Sequence, residues 1–175
     1  MNAAQALLER IHRDGAIDGE VIKVDRFLNH MVDPQLIELM AADIAARFAG
    51  RGITKVLTVE TSGIMLAMAV AAQLGTPFIY AKKKRPITMR EAYSAQSYSF
   101  TKQETTTLYV SREVLPPEDR ILFIDDFYSK GSTLKAIEEI IAAAGATLVG
   151  TAVIINKSER NDIESILTLK DLTSA

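Results

Sequence analysis

The sequence predicts an α/β fold in which helices cover both faces of a parallel sheet. Helical and extended patterns alternate through the middle of the chain, at the spacing typical of strand–helix–strand units. The extended runs are short and almost wholly apolar, as expected of strands that are buried on both faces. Ligands of such sheets bind in the crevice at the carboxyl ends of the strands.

The N-terminal part of the chain predicts two helices. Residues 1–13 form a short amphipathic pattern, and residues 21–30 partly alternate, which indicates extended or irregular chain. Asp33 followed by Pro34 predicts a helix start, with the aspartate as N-cap and the proline in the first helical position. This second helix is expected to end near residue 49.

The remaining elements follow from apolar runs bounded by glycine and proline. Residues 86–110 differ, because they are rich in Ser, Thr, Tyr and Gln, and they predict a β-hairpin with a long mobile loop that acts as a lid. The predicted strands cover 54–59, 77–81, 121–124 and 147–155. One predicted helix ends near residue 74, another spans 134–144, and a final segment covers 163–172.

Composition excludes several classes of protein. A chain of 175 residues predicts one domain with a sizeable core, and a net charge of −2 lacks the basic footprint of a nucleic-acid-binding protein. The absence of cysteine excludes disulfides, thiolate metal sites and a cysteine nucleophile. The first helix mixes acidic and basic residues, unlike a signal peptide, and no apolar run approaches the length of a membrane span. We therefore expect a cytoplasmic protein with no membrane partner.

The stretch with the most chemical information is Ile121–Thr133, Ile-Leu-Phe-Ile-Asp-Asp-Phe-Tyr-Ser-Lys-Gly-Ser-Thr. Asp125 and Asp126 are expected where the apolar strand ends, and a small polar turn leads from them into a helix. Gly131 has no Cβ, so the backbone can approach an anion closely there. The unpaired N–H groups and the dipole of the helix N-terminus favour the same anion.

This layout predicts a sugar-phosphate site. The hydroxyls of Ser129, Ser132 and Thr133 add donors, and the two carboxylates can accept hydrogen bonds from sugar hydroxyls or hold Mg²⁺ through water. A purely structural alternative has acidic residues at a strand end and Ser132 and Thr133 as helix caps. The stretch is not a Walker A loop, because Lys130 precedes Gly131 instead of following it.

Two other polar segments follow predicted strands. Thr61-Ser62-Gly63 is a second candidate anion cradle or an ordinary capped turn. The basic run Lys82–Arg85 is a candidate polyphosphate contact or a solvated surface. Because the carboxyl ends of parallel strands share one edge of the sheet, both segments are expected to join residues 125–133 in one anion-binding site.

The stretch 121–133 is similar to the phosphoribosyl-pyrophosphate signature of the type I phosphoribosyltransferases. That signature has a hydrophobic strand, two acidic residues, two apolar residues and a phosphate-binding turn that ends in Gly and Thr or Ser. Further segments resemble the bacterial xanthine phosphoribosyltransferase branch of this family, and the likeness covers about residues 7–158. These segments are Lys23–His30 with Asp33-Pro34, Glu60–Ile64, Ala95–Lys102 and Ile155–Ser158.

The resemblance implies both a fold and an activity. It implies a type I phosphoribosyltransferase domain over residues 1–175, with a hood from about 1–32 and 156–175 and a flexible lid at about 85–110. Enzymes of this branch convert xanthine and phosphoribosyl pyrophosphate to xanthosine monophosphate and pyrophosphate in purine salvage. They use Mg²⁺, bound with phosphoribosyl pyrophosphate, and are homodimers.

The resemblance also assigns roles to individual residues. Asp125 and Asp126 are expected along the ribose hydroxyls, and Lys83 completes the catalytic set. The other expected contacts are Ser129, Lys130, Gly131, Ser132 and Thr133 for the 5-phosphate of the sugar; Thr61, Ser62, Gly63, Lys82 and Lys84 for pyrophosphate; Ile22, Asn29 and Lys157 for the purine; and Tyr98, Ser99 and Phe100 in the lid.

Two departures from the branch leave the choice of base open. The phosphate turn reads Ser-Lys-Gly-Ser-Thr instead of Ala-Asn-Gly-Gln-Ala, and only residues 158–175 follow Lys157, which predicts a shorter hood. Hypoxanthine, guanine or adenine are therefore alternative acceptors. A domain that senses phosphoribosyl pyrophosphate without catalysis, as in some purine repressors, is a further alternative. A flavodoxin-like Mg²⁺-binding domain is another, but it leaves the Gly-Ser-Thr turn unexplained.

Overall fold

The computed structural model describes residues 1–174, and its elements alternate as the sequence predicts. The α-helices are α1 (Ala3–Asp14), α2 (Pro34–Phe48), α3 (Ile64–Leu74), α4 (Ser132–Ala144) and α5 (Leu169–Thr173). The strands are β1 (Ala16–Asp18), β2 (Val21–Lys23), β3 (Lys55–Val59), β4 (Phe78–Ala81), β5 (Ala92–Ser99), β6 (Glu104–Ser111), β7 (Arg120–Tyr128), β8 (Thr147–Asn156) and β9 (Glu164–Thr168). A π-helical turn spans Asp25–Asn29, and a 3₁₀ turn spans Arg112–Val114.

The centre of the fold is a parallel sheet of five strands in the order β4-β3-β7-β8-β9. Side chains of successive residues on β7 enter opposite cores, as alternation along a strand requires. Leu122 and Ile124 pack with α1, α2 and α3 on one face, whereas Ile121 and Phe123 pack with α4 on the other. The predicted α/β class, with helices on both faces, is thus confirmed.

Local signals set the ends of two helices as expected. The carboxylate of Asp33 accepts hydrogen bonds from the backbone N–H groups of Gln35 and Leu36, at 3.0 and 3.2 Å, and Pro34 occupies the first turn of α2. Losing such a cap costs about 1 kcal/mol. Gly145, with a φ of 73°, ends helix α4. Both boundaries therefore follow from residues next to them in sequence.

The prediction of a long loop within residues 86–110 is wrong, although the hairpin itself is confirmed. Strands β5 and β6 pair without interruption from Ala92 opposite Ser111 to Ser99 opposite Glu104, so residues 100–103 alone connect them. The apolar positions along β6 are buried in the same core cluster as α4, and α4 packs against β5. Burial of one face holds the segment as regular strands, where its polar composition indicated a loop.

The acidic pair lies inside a strand and not after it, which corrects the predicted end of β7. The strand continues to Tyr128 because β8 is long enough to pair with it, with Asp125 opposite Val153 and Tyr128 opposite Asn156. Hydrogen bonding to β8 thus overrides the break that the two polar residues suggest. The phosphate turn consequently begins directly at the end of β7.

The two segments expected to form the hood contain strands as well as irregular chain. Residues 164–168 form β9, which pairs in parallel with β8 and buries Ile166 and Leu167, so they belong to the main sheet. Residues 21–30 comprise β2 and the π-helical turn, and β1 and β2 form a small antiparallel hairpin. No helix among residues 1–174 is long and apolar enough to cross a membrane.

Candidate active site

Two adjoining cavities lie at the carboxyl edge of the sheet, beneath the β5–β6 hairpin. The first has a volume of about 230 Å³ and contains Asp125, Asp126, Ser62 and Lys83 in its wall. The second has a volume of about 200 Å³ and is lined by the whole turn 129–133. Asp125 and Thr133 border both cavities, so the two cavities meet where the acidic pair adjoins the end of the turn.

The turn at residues 129–133 has a backbone conformation that leaves amide donors available for an anion. Gly131 is the N-cap of α4 and has a φ of 81°, a left-handed conformation that glycine adopts with little strain. Among residues 1–174, no side chain caps the helix, so the amides of Ser132 and Thr133 lack an intrahelical partner in a segment that lines the second cavity. Ser132 and Thr133 lie within the first turn of α4, which rules out the alternative in which they cap it.

The tip of the β5–β6 hairpin covers this turn. The backbone N–H of Tyr98 donates a hydrogen bond to the Ser132 hydroxyl at 2.6 Å, and the Ser97 hydroxyl lies 3.3 Å from the same oxygen. The rings of Tyr98 and Phe100 pack edge to face with their centroids 4.9 Å apart. Tyr98 and Phe100 line the second cavity and Ser99 lines the first, so the three expected lid residues border the site.

The two carboxylates of the acidic pair are half-buried and adjacent in the chain. The Ser62 hydroxyl donates to Asp126 Oδ2 at 2.8 Å, and the backbone N–H of Asp126 donates to Asp125 Oδ1 at 2.9 Å. Burial raises the pKa of Asp125 well above its usual range, and the neighbouring charge of Asp126 adds to the rise, while Lys83 opposes it. A bound cation, or hydrogen bonds donated by sugar hydroxyls, would therefore favour the ionised form of this pair.

The segment after β3 is packed closely against the sheet. A Cβ built on Gly63 would lie 2.3 Å from the Thr58 hydroxyl oxygen, so the buried position admits only glycine without rearrangement. Thr61 is exposed, and the Glu60–Thr61 peptide is cis. The Glu60 carboxylate accepts a hydrogen bond from the backbone N–H of Lys83 at 2.6 Å, which joins this segment to the basic run after β4.

The basic run contributes one side chain to the site. Lys83 lines the first cavity with the acidic pair. Lys82 instead pairs its backbone with Tyr109, and its ammonium lies 5.4 Å from the centroid of the Tyr80 ring. Lys84 is exposed, and the guanidinium of Arg85 donates to backbone carbonyls of residues 89 and 90. The structure therefore does not bring Lys82 and Lys84 to the cavity.

Lys157 follows β8 and lies against the N-terminal hairpin. Its ammonium donates to the carbonyl of Glu20 at 2.8 Å and lies 4.7 Å from the centroid of the Phe127 ring. Burial lowers the pKa of Lys157, and the charges of Asp126 and Glu20 oppose this shift. Of the other expected purine contacts, Ile22 is buried in the core, whereas Asn29 is exposed and makes no side-chain hydrogen bond within the described chain.

The sequence reasoning did not single out Tyr128 and Arg160. Tyr128 ends β7, lines the second cavity, and accepts a hydrogen bond from the Arg160 guanidinium at 3.0 Å. The two residues are 32 positions apart, in a strand and in the β8–β9 connection. No periodicity or spacing joins them, so sequence alone carried no signal for this contact.

Comparison with known proteins places the chain in a family. Residues 23–167 match the phosphoribosyl transferase domain family, and the chain belongs to that family. The xanthine phosphoribosyltransferase of Brevibacillus brevis is 51% identical over 154 residues, which cover 87% of this chain and 79% of that protein. The xanthine phosphoribosyltransferase of Heliobacterium modesticaldum is 46% identical, over 87% of this chain and 82% of that protein.

Solved structures support the same fold at lower sequence identity. The adenine phosphoribosyltransferase of Thermoanaerobacter pseudethanolicus superimposes with a TM-score of 0.75 at 17% identity, over 92% of this chain and 99% of that one. The Saccharomyces cerevisiae adenine phosphoribosyltransferase gives a TM-score of 0.77 at 16% identity, over 94% of this chain and 98% of that one. At these identities the likeness shows the fold alone.

Proposed function

We propose that this protein is a purine-salvage enzyme that transfers the phosphoribosyl group of phosphoribosyl pyrophosphate to xanthine, forming xanthosine monophosphate and pyrophosphate. The observation that carries the proposal is the placement of the acidic pair between the Gly131 turn and the Ser62–Lys83 side of the cleft. The xanthine phosphoribosyltransferases that resemble the chain, such as that of Brevibacillus brevis at 51% identity, support xanthine as the base.

The two cavities suit the two anionic ends of phosphoribosyl pyrophosphate. The 5-phosphate would occupy the second cavity, on the amides of residues 131–133 and the hydroxyls and ammonium of Ser129–Thr133. Asp125 and Asp126 would accept hydrogen bonds from the ribose hydroxyls. The pyrophosphate would lie in the first cavity, beside Ser62 and the Lys83 ammonium. The segment Thr61–Gly63 completes that side, and Lys82 and Lys84 contribute only positive potential.

The chemistry requires positioning and charge compensation. Departure of pyrophosphate from C1 leaves a ribosyl group with oxocarbenium character, and no protein nucleophile is needed for that step. The Lys83 ammonium would stabilise the departing anion, and the carboxylates, one of which is held by the Ser62 hydroxyl, would stabilise the developing positive charge on the sugar. The turn at Gly131 fixes the 5-phosphate, which holds C1 in place for attack by the purine nitrogen.

Mg²⁺ fits this site as a substrate-bound ion. Residues 1–174 contain no cluster of three or more His, Cys, Asp or Glu side chains that would hold a metal by themselves. The adjacent carboxylates of Asp125 and Asp126 suit Mg²⁺, which usually binds one or two carboxylates together with substrate phosphates and retains water ligands. The ion would supply neutralisation of the pyrophosphate charge, held by Asp125 or Asp126 through water.

The purine would lie between the acidic pair and Lys157. The Lys157 amine can donate to a 6-oxo group, whereas adenine presents an amino donor at that position. The Asn29 amide would serve the 2-position, where xanthine carries its second oxo group, and Ile22 is the remaining expected base contact. Lys157 would contact only the 6-oxo group, which hypoxanthine and guanine share with xanthine. Hypoxanthine or guanine is therefore the second candidate acceptor, and adenine is the less favourable alternative.

We further propose a single catalytic domain that forms a homodimer in the cytoplasm, with the hairpin at 85–110 as a lid and the N- and C-terminal segments as a hood. A groove between α2 and α3 supports the dimer, since it is lined mainly by apolar side chains such as Ile37, Met65 and Ala69. Met68 at its edge is 57% exposed. Exposed apolar patches of this kind commonly mark protein interfaces.

A panel of four purines tests the proposal directly. Xanthine, hypoxanthine, guanine and adenine are each incubated with phosphoribosyl pyrophosphate and Mg²⁺, and release of pyrophosphate is measured. We expect the highest kcat/KM with xanthine and the lowest with adenine. Asp126→Asn should lower the rate by orders of magnitude without loss of fold, whereas Asp43→Asn, in a partly exposed ion pair with Arg47 on α2, should not lower it. No turnover with xanthine would refute the proposal, and ligand binding without pyrophosphate release would favour a sensor domain.

A further inference from the structure

Tyr128 lies directly beneath the phosphate turn. It is the last residue of β7 and is 8% exposed. A Cβ built on Gly131 would lie 2.5 Å from its phenolic oxygen, so the hydroxyl approaches the backbone of the turn closely. The side chain lines the same cavity as Ser129–Thr133. The family signature asks only for an apolar residue here, so the hydroxyl of Tyr128 is a polar group that the signature does not require.

Arg160 holds this hydroxyl from the opposite side. Its Nη1 donates to the phenolic oxygen at 3.0 Å, and its guanidinium carbon lies 5.5 Å from the centroid of the Tyr128 ring. Asp162 accepts two further bonds from the guanidinium, at 2.9 and 2.5 Å. The side-chain amide of Asn156 donates to the Arg160 carbonyl at 2.8 Å, which ties the connection to the end of β8.

The direction of the Arg160 bond decides what the phenol can do. A phenolic oxygen both accepts and donates, whereas a guanidinium only donates. Arg160 therefore uses a lone pair of Tyr128 and leaves its proton available. Within the part of the chain that the structure describes, no acceptor takes that proton. An unpaired buried donor is costly. A phosphate oxygen bound at the neighbouring turn would supply the acceptor that the phenolic proton lacks.

We propose that Tyr128 donates a hydrogen bond to the 5-phosphate of the sugar and that Arg160 is a positioning residue that orients the phenol. This inference rests on the proposed function, since it adds a contact to the same phosphate. The Arg160 guanidinium also contributes positive charge behind the phenol, which strengthens its donor character. The phosphate turn thereby gains a side-chain donor from the strand that precedes it.

Tyr128→Phe tests the hydrogen bond with little change in shape. Hydrogen bonds to charged groups are strong enough that we expect the KM for phosphoribosyl pyrophosphate to rise about 10- to 100-fold, with kcat and the KM for the purine little changed. Tyr93→Phe is the matched control, because the Tyr93 ring packs against Arg112, 4.8 Å away, outside both cavities. An unchanged KM in Tyr128→Phe would overturn the inference.

Binding measurements separate this inference from the proposed function. Calorimetry with ribose 5-phosphate, and in parallel with Mg²⁺-pyrophosphate, is expected to show that wild type binds both and that Tyr128→Phe loses affinity for ribose 5-phosphate alone. If wild type binds neither, the proposed function fails. If wild type binds both and Tyr128→Phe binds ribose 5-phosphate equally well, only the role of Tyr128 fails.

A double-variant cycle tests whether Arg160 acts through Tyr128. Arg160→Met should weaken ribose 5-phosphate binding, and Arg160→Lys should restore part of it. In the Tyr128→Phe background, Arg160→Met should have little further effect, because the group that it orients is already absent. Equal losses in both backgrounds would overturn the positioning role and indicate that Arg160 acts on the phosphate independently.

Discussion

Replacing Gly131 with alanine tests how strictly the phosphate turn depends on its backbone. A left-handed conformation costs a residue with a Cβ about 1–2 kcal/mol, and Gly131 has a φ of 81°. The added methyl group would lie 2.5 Å from the phenolic oxygen of Tyr128 and 3.1 Å from its Cζ. Because Tyr128 is nearly buried and its hydroxyl is held by Arg160, either the phenol or the turn must shift, and the donors lose their alignment toward the phosphate.

The expected loss of affinity can be calculated from the number of hydrogen bonds to the phosphate that the shift breaks. A hydrogen bond to a charged group contributes about 1.5–3 kcal/mol, which corresponds to about 10- to 150-fold in affinity for each bond lost. We therefore expect the KM of Gly131→Ala for phosphoribosyl pyrophosphate to rise at least about tenfold. Steady-state kinetics at saturating xanthine measure this rise, and urea unfolding measures the accompanying loss of stability.

Gly145→Ala supplies a matched control at the other end of the same helix. Gly145 has a φ of 73°, so alanine there carries the same backbone cost. Its nearest neighbour would be Pro117 Cβ at 3.4 Å, an ordinary van der Waals contact far from the cleft. We expect both variants to lose about 1–2 kcal/mol of stability. Only Gly131→Ala should lose substrate affinity, and a wild-type KM in that variant would refute the reasoning.

Three further predictions follow from the site. Asp125→Asn should raise the melting temperature at pH 8 while lowering activity. Burial and the charge of Asp126 raise the folded-state pKa of Asp125. The ionised carboxylate therefore destabilises the fold as the pH rises toward that pKa, and asparagine removes this cost. The gain should vanish below about pH 4, the unfolded pKa, and a lower melting temperature at pH 8 would contradict it. Lys157→Met should raise the KM for xanthine about tenfold or more, with the KM for phosphoribosyl pyrophosphate nearly unchanged; equal changes would exclude a base contact. Met68→Glu should give a monomer by light scattering, whereas Val114→Glu, at an exposed 3₁₀ turn, should leave a dimer; a dimeric Met68→Glu would exclude the α2–α3 groove as the interface.

Elements fixed by neighbouring residues were predictable from sequence, and those fixed by distant pairing were not. The start of α2 at Asp33-Pro34 depends on adjacent cap residues and was predicted correctly. The end of β7 depends on β8, which pairs with Asp125 and Tyr128 in spite of their polar groups. The β5–β6 hairpin likewise depends on burial against α4, so its polar composition misled the prediction of a long loop.

The candidate site followed from one topological rule together with the resemblance. Because parallel strands end at the same edge, Ser62, Lys83 and Asp125 were expected to meet, and the structure brings them into one cavity. The rule does not say where individual side chains point, which is why Lys82 faces Tyr80 instead. Nor does it anticipate Arg160, whose contact with the site comes from the course of the β8–β9 connection.

The most direct test of the phosphate site is a titration of ¹⁵N-labelled protein with ribose 5-phosphate, followed through the backbone amide resonances of Gly131, Ser132 and Thr133. These amides are the donors assigned to the phosphate. We expect large, saturable downfield shifts at all three, with smaller changes in α3. Saturable binding that shifts amides elsewhere and leaves these three unmoved would contradict it.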